Sequence, residues 1–361
     1  MNPSSPTSTV PADGDAPDGP REPGPAAAES DARRPRGRLA GLVPSGETLL
    51  PVLLLAVLFT YFAIRAPYFL TYSNLTNLLD QASVLGIISI GAAFIMVAGG
   101  LDLSIGATVA MSGVVAALGM TSWTHSLVVG LLLGLGVGIA VGALNAVLVI
   151  VLRVPSFVAT LGTLVLESGL ALSATNNGTI AGLPTGFGKI ANTTFLGLHT
   201  MVWITVGCFV AGWILLHHTV FGVKTFATGG NPTAGRLVGL RPGRVVALNF
   251  VICSFLASLA GIVLASQVST AQPTIGAEQT LYAVAAVVLG GTSLFGGSGG
   301  IPRTALGVAA IAMVQNGLNL MGVIYQRQQV VIGVVFILGA SPFIVAGLRR
   351  AVQTVTRRVA R

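Results

Sequence analysis

The sequence predicts an all-α, polytopic membrane protein with about ten transmembrane helices and both termini cytoplasmic. Three observations carry that prediction. Of the 361 residues, 53% are hydrophobic and only 8% charged, with 47 glycines, a profile of helical membrane bundles and not of soluble enzymes. Ten apolar runs follow one another, and the length leaves room for about ten crossings of about 20 residues each, although the second and third runs are each a little short. The basic residues between the runs are also unevenly divided. With the N-terminal segment cytoplasmic, alternate crossings put Arg153, then Lys224, Arg236, Arg241 and Arg244, then Arg303, then Arg349, Arg350, Arg357, Arg358 and Arg361 on the cytoplasmic side, leaving Arg65, Lys189 and Arg327 outside. Dropping one span would throw the C-terminal arginine cluster outward.

The net charge of +8 raises nucleic acid as a partner, but the arginines stand at the ends of apolar runs with no aromatic or basic domain to use them. Their role is topological, and no nucleic-acid partner is expected. Cys208 and Cys253 both fall inside apolar runs and read as packing residues, not as a disulfide, metal or thiol site.

Residues 1–45 are rich in Pro, Gly, Ala, Asp and Arg and hold no apolar run, so a disordered cytoplasmic tail is expected there. Arg33 and Arg34 precede the first run as in a twin-arginine export signal. That run is span-length and lacks an Ala-x-Ala cleavage pattern, so it reads as an uncleaved anchor, Leu49 to Phe69. It opens a transmembrane domain of residues 46–348, followed by a basic cytoplasmic tail of residues 349–361. The further runs are Ser83 to Ala98, Ser104 to Met120, Leu127 to Leu152, Phe157 to Ala174, Met201 to Leu216, Val245 to Ala265, Leu281 to Leu294, Ala305 to Gly322 and Val330 to Ala346.

Between the second and third runs, Gly99-Gly100-Leu101-Asp102-Leu103-Ser104-Ile105-Gly106 breaks the helix. It is either a tight turn, with Asp102 capping the helix that starts near Ser104, or an interruption inside the membrane that lines a polar cavity. In the fourth run Gly130, Gly134, Gly138 and Gly142 recur every four residues on one helical face, where a neighbouring helix approaches closely. Asn145 continues near that face, placed to bond a neighbouring helix or a ligand. Pro155 starts the fifth helix, and Glu167 lies about 18 Å further along it at about 1.5 Å per residue. A carboxylate at that depth is expected to face the bundle interior.

A polar loop from Thr175 to His199 is expected outside; its Asn177 and Asn192 head triplets of the N-glycosylation type. Gly186-Phe187-Gly188-Lys189-Ile190 fails as a phosphate loop, because Ile190 replaces the required Ser or Thr and Leu183 stands at the first glycine. From Phe221 to Leu240 a basic stretch interrupts the apolar runs. There Asn231 followed by Pro232 reads as an N-cap with proline in the first turn, opening a short helix that carries Ala234, Arg236 and Leu237. Ala271 to Gly276 is expected to be an external turn. Gly297-Ser298-Gly299 fails as a dinucleotide loop at Pro302, so no nucleotide-binding motif is found. In the ninth run Gln315 and Asn319 share a face, placed for inter-helix hydrogen bonds or for sugar hydroxyls, with Asn316 beside them.

Five stretches in order carry a family resemblance: Gly99 to Gly106, Arg153 to Thr163, Gly229-Gly230-Asn231-Pro232 with Ala234-Gly235-Arg236-Leu237 and Gly239, Ala285 to Gly297, and Gln315 to Leu320. From about residue 50 to 345 the chain resembles the permease subunits of ribose/xylose/galactose-type bacterial ABC importers. The resemblance implies that Gly230, Asn231, Pro232, Ala234, Gly235, Arg236, Leu237 and Gly239 form a coupling loop that docks on a separate ATP-binding subunit. It also implies an extracytoplasmic solute-binding protein and a second permease subunit, giving a homodimer surrounded by membrane lipid. No cofactor is expected in this chain; ATP and Mg belong to the partner, and the chain is not an enzyme. The candidates for a translocation path are Asp102, Ser104, Asn145, Glu167, Gln315, Asn316 and Asn319. Their largely neutral chemistry suits a small, uncharged, hydroxyl-rich solute, foremost a monosaccharide, crossing a bacterial plasma (inner) membrane. Nucleosides, polyols and other small polar solutes are the alternatives within the family, and an ion-coupled secondary transporter is the alternative outside it. The chain departs from its relatives at Glu167, where they usually have a small residue, at Ser168, where they often have arginine, at Thr280-Leu281-Tyr282, where an acidic Glu-Leu-Asp is usual, and at Ile301-Pro302-Arg303.

Overall fold

The computed structural model describes residues 46–337. The two tails expected at residues 1–45 and 349–361, and the end of the tenth run, lie outside the described residues. Within the described residues each apolar run overlaps a helix, and the chain is an all-α, multi-pass membrane protein. Helix α1 is Gly46–Arg65, α2 Tyr72–Val97, α3 Ile105–Leu118, α4 Leu127–Ala146 and α5 Ser156–Ala174. Single π-helical turns, Gly119–Trp123 and Val147–Val151, lengthen α3 and α4. Then come α6 Thr185–Asn192, a two-residue hairpin of β1 (Thr194–Phe195) and β2 (Leu198–His199), α7 Thr200–His217, α8 Val220–Gly230, α9 Pro232–Leu237, α10 Pro242–Val268, α11 Gln279–Leu289 and α12 Ile301–Leu320. A last helix, α13, begins at residue 325 and reaches the end of the described residues at 337.

Among the described residues six stretches are long and apolar enough to cross a membrane: Tyr72–Val97, Ile105–Trp123, Leu127–Val151, Ser156–Ala174, Thr200–His217 and Pro242–Val268. The glycine row of α4 does what its spacing requires. A Cβ on Gly138 would meet the Ser254 carbonyl oxygen of α10 at 2.3 Å and one on Gly142 the Cα of Val251 at 2.6 Å, while Gly134 and Gly130 press on Ala116, Ser112 and Met120 of α3 and its π turn. Backbone contact at these distances excludes any side chain, so α4 is fixed against both neighbours.

The eighth apolar run differs from a full crossing. Helix α11 has 11 residues, about 16 Å at about 1.5 Å per residue, half a bilayer. The segment before it, expected as an external turn, begins as one: Ala271 exchanges backbone bonds with Ile180 of the polar loop at 2.9 and 3.0 Å. By Gly276 it has reached the start of α3, where a Cβ on Gly276 would lie 2.0 Å from the Gly106 carbonyl oxygen. Hydropathy marks a run as apolar but does not say at what depth it begins.

The contacts also sort the two ends of the bundle. At one end Arg153 and Arg236 border a groove together with Gly99, Pro242 and Phe295. At the other, the Tyr72 hydroxyl donates to the Gly197 carbonyl at 2.6 Å, His199 pairs with Asp80 at 2.7 Å, and Asn192 of α6 donates to Ser266 at the end of α10 at 3.1 Å. The first is called the basic end below and the second the loop end.

Candidate coupling and translocation sites

At the basic end α9 is built as its sequence dictates. Asn231 is extended (φ −157°, ψ 94°), and its Oδ1 accepts from the backbone N–H of Thr233 at 3.1 Å and of Ala234 at 2.9 Å, with Pro232 in the first turn. The helix closes on Gly239 (φ +81°), with the Gly239 N–H donating to Arg236 and the Leu240 N–H to Gly235 at 3.0 Å each, the bond pattern of a glycine-terminated helix. Gly235 is buried against Leu240, while Leu237 and Val238 are 85% and 77% exposed. Arg236 is also exposed. The helix therefore projects from the bundle with an apolar and a cationic side chain outward. Gly230, itself exposed, adjoins a junction of glycines. A Cβ on Gly229 would meet the Val97 carbonyl oxygen at 1.9 Å, one on Gly296 the Cα of Gly99 at 2.7 Å, and one on Gly297 the Cα of Gly230 at 2.6 Å. The Gly297 N–H donates to Val97 at 2.9 Å.

Within the bundle the structure joins Asp102, Ser104 and Asn145, and adds Thr163. Asp102 Oδ1 accepts from the Ser104 N–H at 2.9 Å and from its hydroxyl at 2.6 Å; Asn145 Nδ2 donates to the Ser104 hydroxyl at 3.0 Å; the Thr163 hydroxyl donates to Asn145 Oδ1 at 2.8 Å. Asp102 thus holds Ser104, the residue at which α3 begins, without capping an N–H of the helix, and belongs to a chain of bonds from the α2–α3 interruption through α4 to α5. All four side chains are buried. Such a chain spends donors and acceptors on one another and fixes three helices. Glu167 lies one helical turn beyond Thr163 on the same inward face of α5. It is 3% exposed, and neither carboxyl oxygen has a hydrogen-bond partner among the described residues.

Gln315, Asn316 and Asn319 are placed apart from that network. Asn316 is buried and exchanges two bonds with Asn74 of α2, at 3.0 and 2.9 Å, which pin α12 to α2. Gln315 and Asn319 instead line a cleft of about 210 Å³ that also holds Gln81, Glu278, Tyr282 and Gln329. Glu278 is its centre: it accepts from the Tyr282 hydroxyl at 3.1 Å, from Gln329 Nε2 at 2.8 Å and from the Tyr325 hydroxyl. Gln328 Nε2 donates to Asn319 Oδ1 at 2.7 Å. Sequence reasoning missed Glu278, Tyr282, Tyr325, Gln328 and Gln329. The available signal was the spacing of Tyr325, Gln328 and Gln329, one polar face of a helix in an otherwise apolar region.

The short and interrupted helices, the polar groups between them and the projecting capped helix define a multi-pass membrane transport subunit. Residues 74–340 match the family described as the branched-chain amino acid transport system / permease component, and the chain belongs to that permease family. It is 42% identical to the ribose import permease protein RbsC of Bacillus subtilis over 290 residues, 80% of this chain and 90% of the relative. The RbsC of Escherichia coli K12 is 39% identical over 294 residues, covering 79% of this chain and 89% of the relative. An L-arabinose ABC transporter permease protein, AraH of Azospirillum brasilense, is 34% identical over 272 residues, 75% of this chain and 80% of the relative. No solved structure matches. The chain is thus a non-enzymatic permease component of the inner membrane, with ATP hydrolysis in a separate subunit and a solute-binding protein among its partners.

Proposed function

We propose that this chain forms the path by which a bacterial ABC importer carries a monosaccharide, in the first place a pentose, across the inner membrane. The observation that carries the reading is the likeness to ribose and arabinose permeases along four fifths or more of their length. The working unit is a homodimer with two ATP-binding subunits, which hold ATP and Mg, and one extracytoplasmic binding protein. Ten crossings with both termini inside agree with the sorting of Arg153 and Arg236 to the end opposite the hairpin. Helix α9, capped and projecting, is the part offered to the ATP-binding subunit, and Asp102, Ser104, Asn145 and Thr163 hold the helices around the path.

The family description brings a second reading, a branched-chain amino acid. A zwitterion needs a cationic partner for its carboxylate, and every lysine and arginine of the described residues stands in a loop, in one of the short helices α6, α8 and α9, or near a helix end. The neutral solute fits better. The test is uptake into vesicles carrying this chain with the ATP-binding and binding proteins encoded beside it. ATP-dependent entry of labelled D-ribose or L-arabinose, undiminished by excess L-leucine, is expected; entry of leucine alone rejects the sugar reading.

A further inference from the structure

We propose that the cleft around Glu278 is a solute subsite at the loop-end mouth of the path, reading the hydroxyls of a neutral cyclic polyol by means of Glu278, Gln315, Asn319 and Gln329. The inference rests on the importer reading above and assigns its solute a place.

Depth comes first. Gln81 follows Asp80, whose bond to His199 marks the loop end, and Asn319 lies about 27 Å along α12 from the basic end. A hydrocarbon core is about 30 Å thick, so the cleft opens at the loop-end mouth of the bundle. Gln81, Glu278 and Asn319 are exposed and Tyr325 is 52% exposed. Polar side chains at such a boundary are tolerated where they line a water-filled space. Non-helical backbone obeys the same rule, and the cleft lies beside the interrupted segment that leads into α11.

Hydrogen-bonding capacity then defines the ligand. Three donors already occupy Glu278, which has about four lone-pair sites, so the carboxylate is held in place with capacity for one more donor. Asn319 has spent one acceptor site on Gln328 and keeps both N–H donors. Gln81 and Gln315 make no hydrogen bond among the described residues, so each offers two donors and a carbonyl. Unspent amides present donors and acceptors side by side, and a hydroxyl group is both. The rings of Tyr282 and Tyr325 add apolar surface for the C–H face of a ring. A phosphate would meet Glu278 with no cation beside it, and an amine would find its carboxylate already bonded by three donors.

The experiment uses the reconstituted importer with Cys208 and Cys253 replaced and Asn319→Cys introduced, together with the same protein carrying Glu278→Ala. Ribose uptake by the parental complex tests the importer reading by itself. Labelling of Asn319→Cys by a water-soluble methanethiosulfonate is then timed with D-ribose, L-leucine or nothing added at millimolar concentration, with the binding protein absent. The subsite requires labelling, slowed at least threefold by ribose and not by leucine, with the protection lost in Glu278→Ala. If ribose enters through the parental complex but leaves labelling unchanged, or protects equally after Glu278→Ala, the subsite is wrong and the importer reading stands. Failure of the reagent to reach the cysteine, as when the cleft is sealed by a second copy or by lipid, also overturns it.

Discussion

The backbone N–H of Gly106 donates to the hydroxyl of Thr280 at 2.8 Å, joining two residues 174 positions apart. The bond ties the interruption between α2 and α3 to the one before α11. Thr280 also reaches the Leu103 carbonyl at 3.4 Å, and Gly106 and Gly276 touch through bare backbone. Two irregular segments at membrane depth thereby satisfy each other, which is what lets them persist away from water.

Gly106→Val should therefore be among the most damaging single changes in the chain. Its Cβ would sit 2.2 Å from the Gly276 carbonyl oxygen, whereas a Cβ on Gly136 meets nothing within 4 Å. Overpacking of this kind costs about 1–3 kcal/mol or more. The expected result is a fall of several-fold in folded, detergent-extractable protein for Gly106→Val, with Gly136→Val at the parental level, measured by fluorescence-detected gel filtration.

Topology follows from two exposed positions at opposite ends, Val238 beside α9 and Leu196 at the hairpin tip. In a cysteine-free background, an impermeant thiol reagent added to intact cells should label Leu196→Cys, and should label Val238→Cys only after the membrane is opened. The reverse pattern would invert the molecule.

For α9, Asn231→Ala removes an acceptor that holds two N–H groups and should cost about 1 kcal/mol of helix stability. Arg236→Glu reverses an exposed charge without touching the fold. Both should lower co-purification of the ATP-binding subunit and sugar-stimulated ATP hydrolysis, by several-fold for Arg236→Glu, at unchanged membrane abundance. Parental values for both would make the loop a topological device only.

Glu167→Leu should stabilise the protein. Among the described residues the buried carboxyl has no hydrogen-bond partner on either oxygen, and replacing an unsatisfied buried polar group by an apolar one recovers about 1–3 kcal/mol. A rise of a few degrees in the unfolding temperature of the purified permease is expected, with ribose uptake retained. A drop in stability would show that Glu167 has a donor in the assembled complex.

What the sequence made legible divides along physical lines. Helix α9 could be read because an N-cap followed by proline is local chemistry, complete within three residues. The α4 glycine face could be read because a period of four is a property of one helix. Asp102 and Ser104 lie in one short motif, and their burial together follows from it. The Glu278 cleft was hidden, since its members come from α2, α11, α12 and α13 and only packing brings them together. That the eighth run joins an irregular segment to the short helix α11 was not legible, because composition measures how apolar a segment is and not where its helix begins.

The junction of Gly99, Gly229, Gly230, Gly296 and Gly297 has a mechanical consequence. Side chains between two segments act as compliant spacers: they change rotamer and absorb small displacements. Here three strands of backbone meet with no spacer at all, so the joint has no slack. A push on the base of α9 must be delivered undiminished to the residues that lead into Asp102 and to the loop that opens α12, and a methyl group added at Gly229, Gly296 or Gly297 would pry the joint apart.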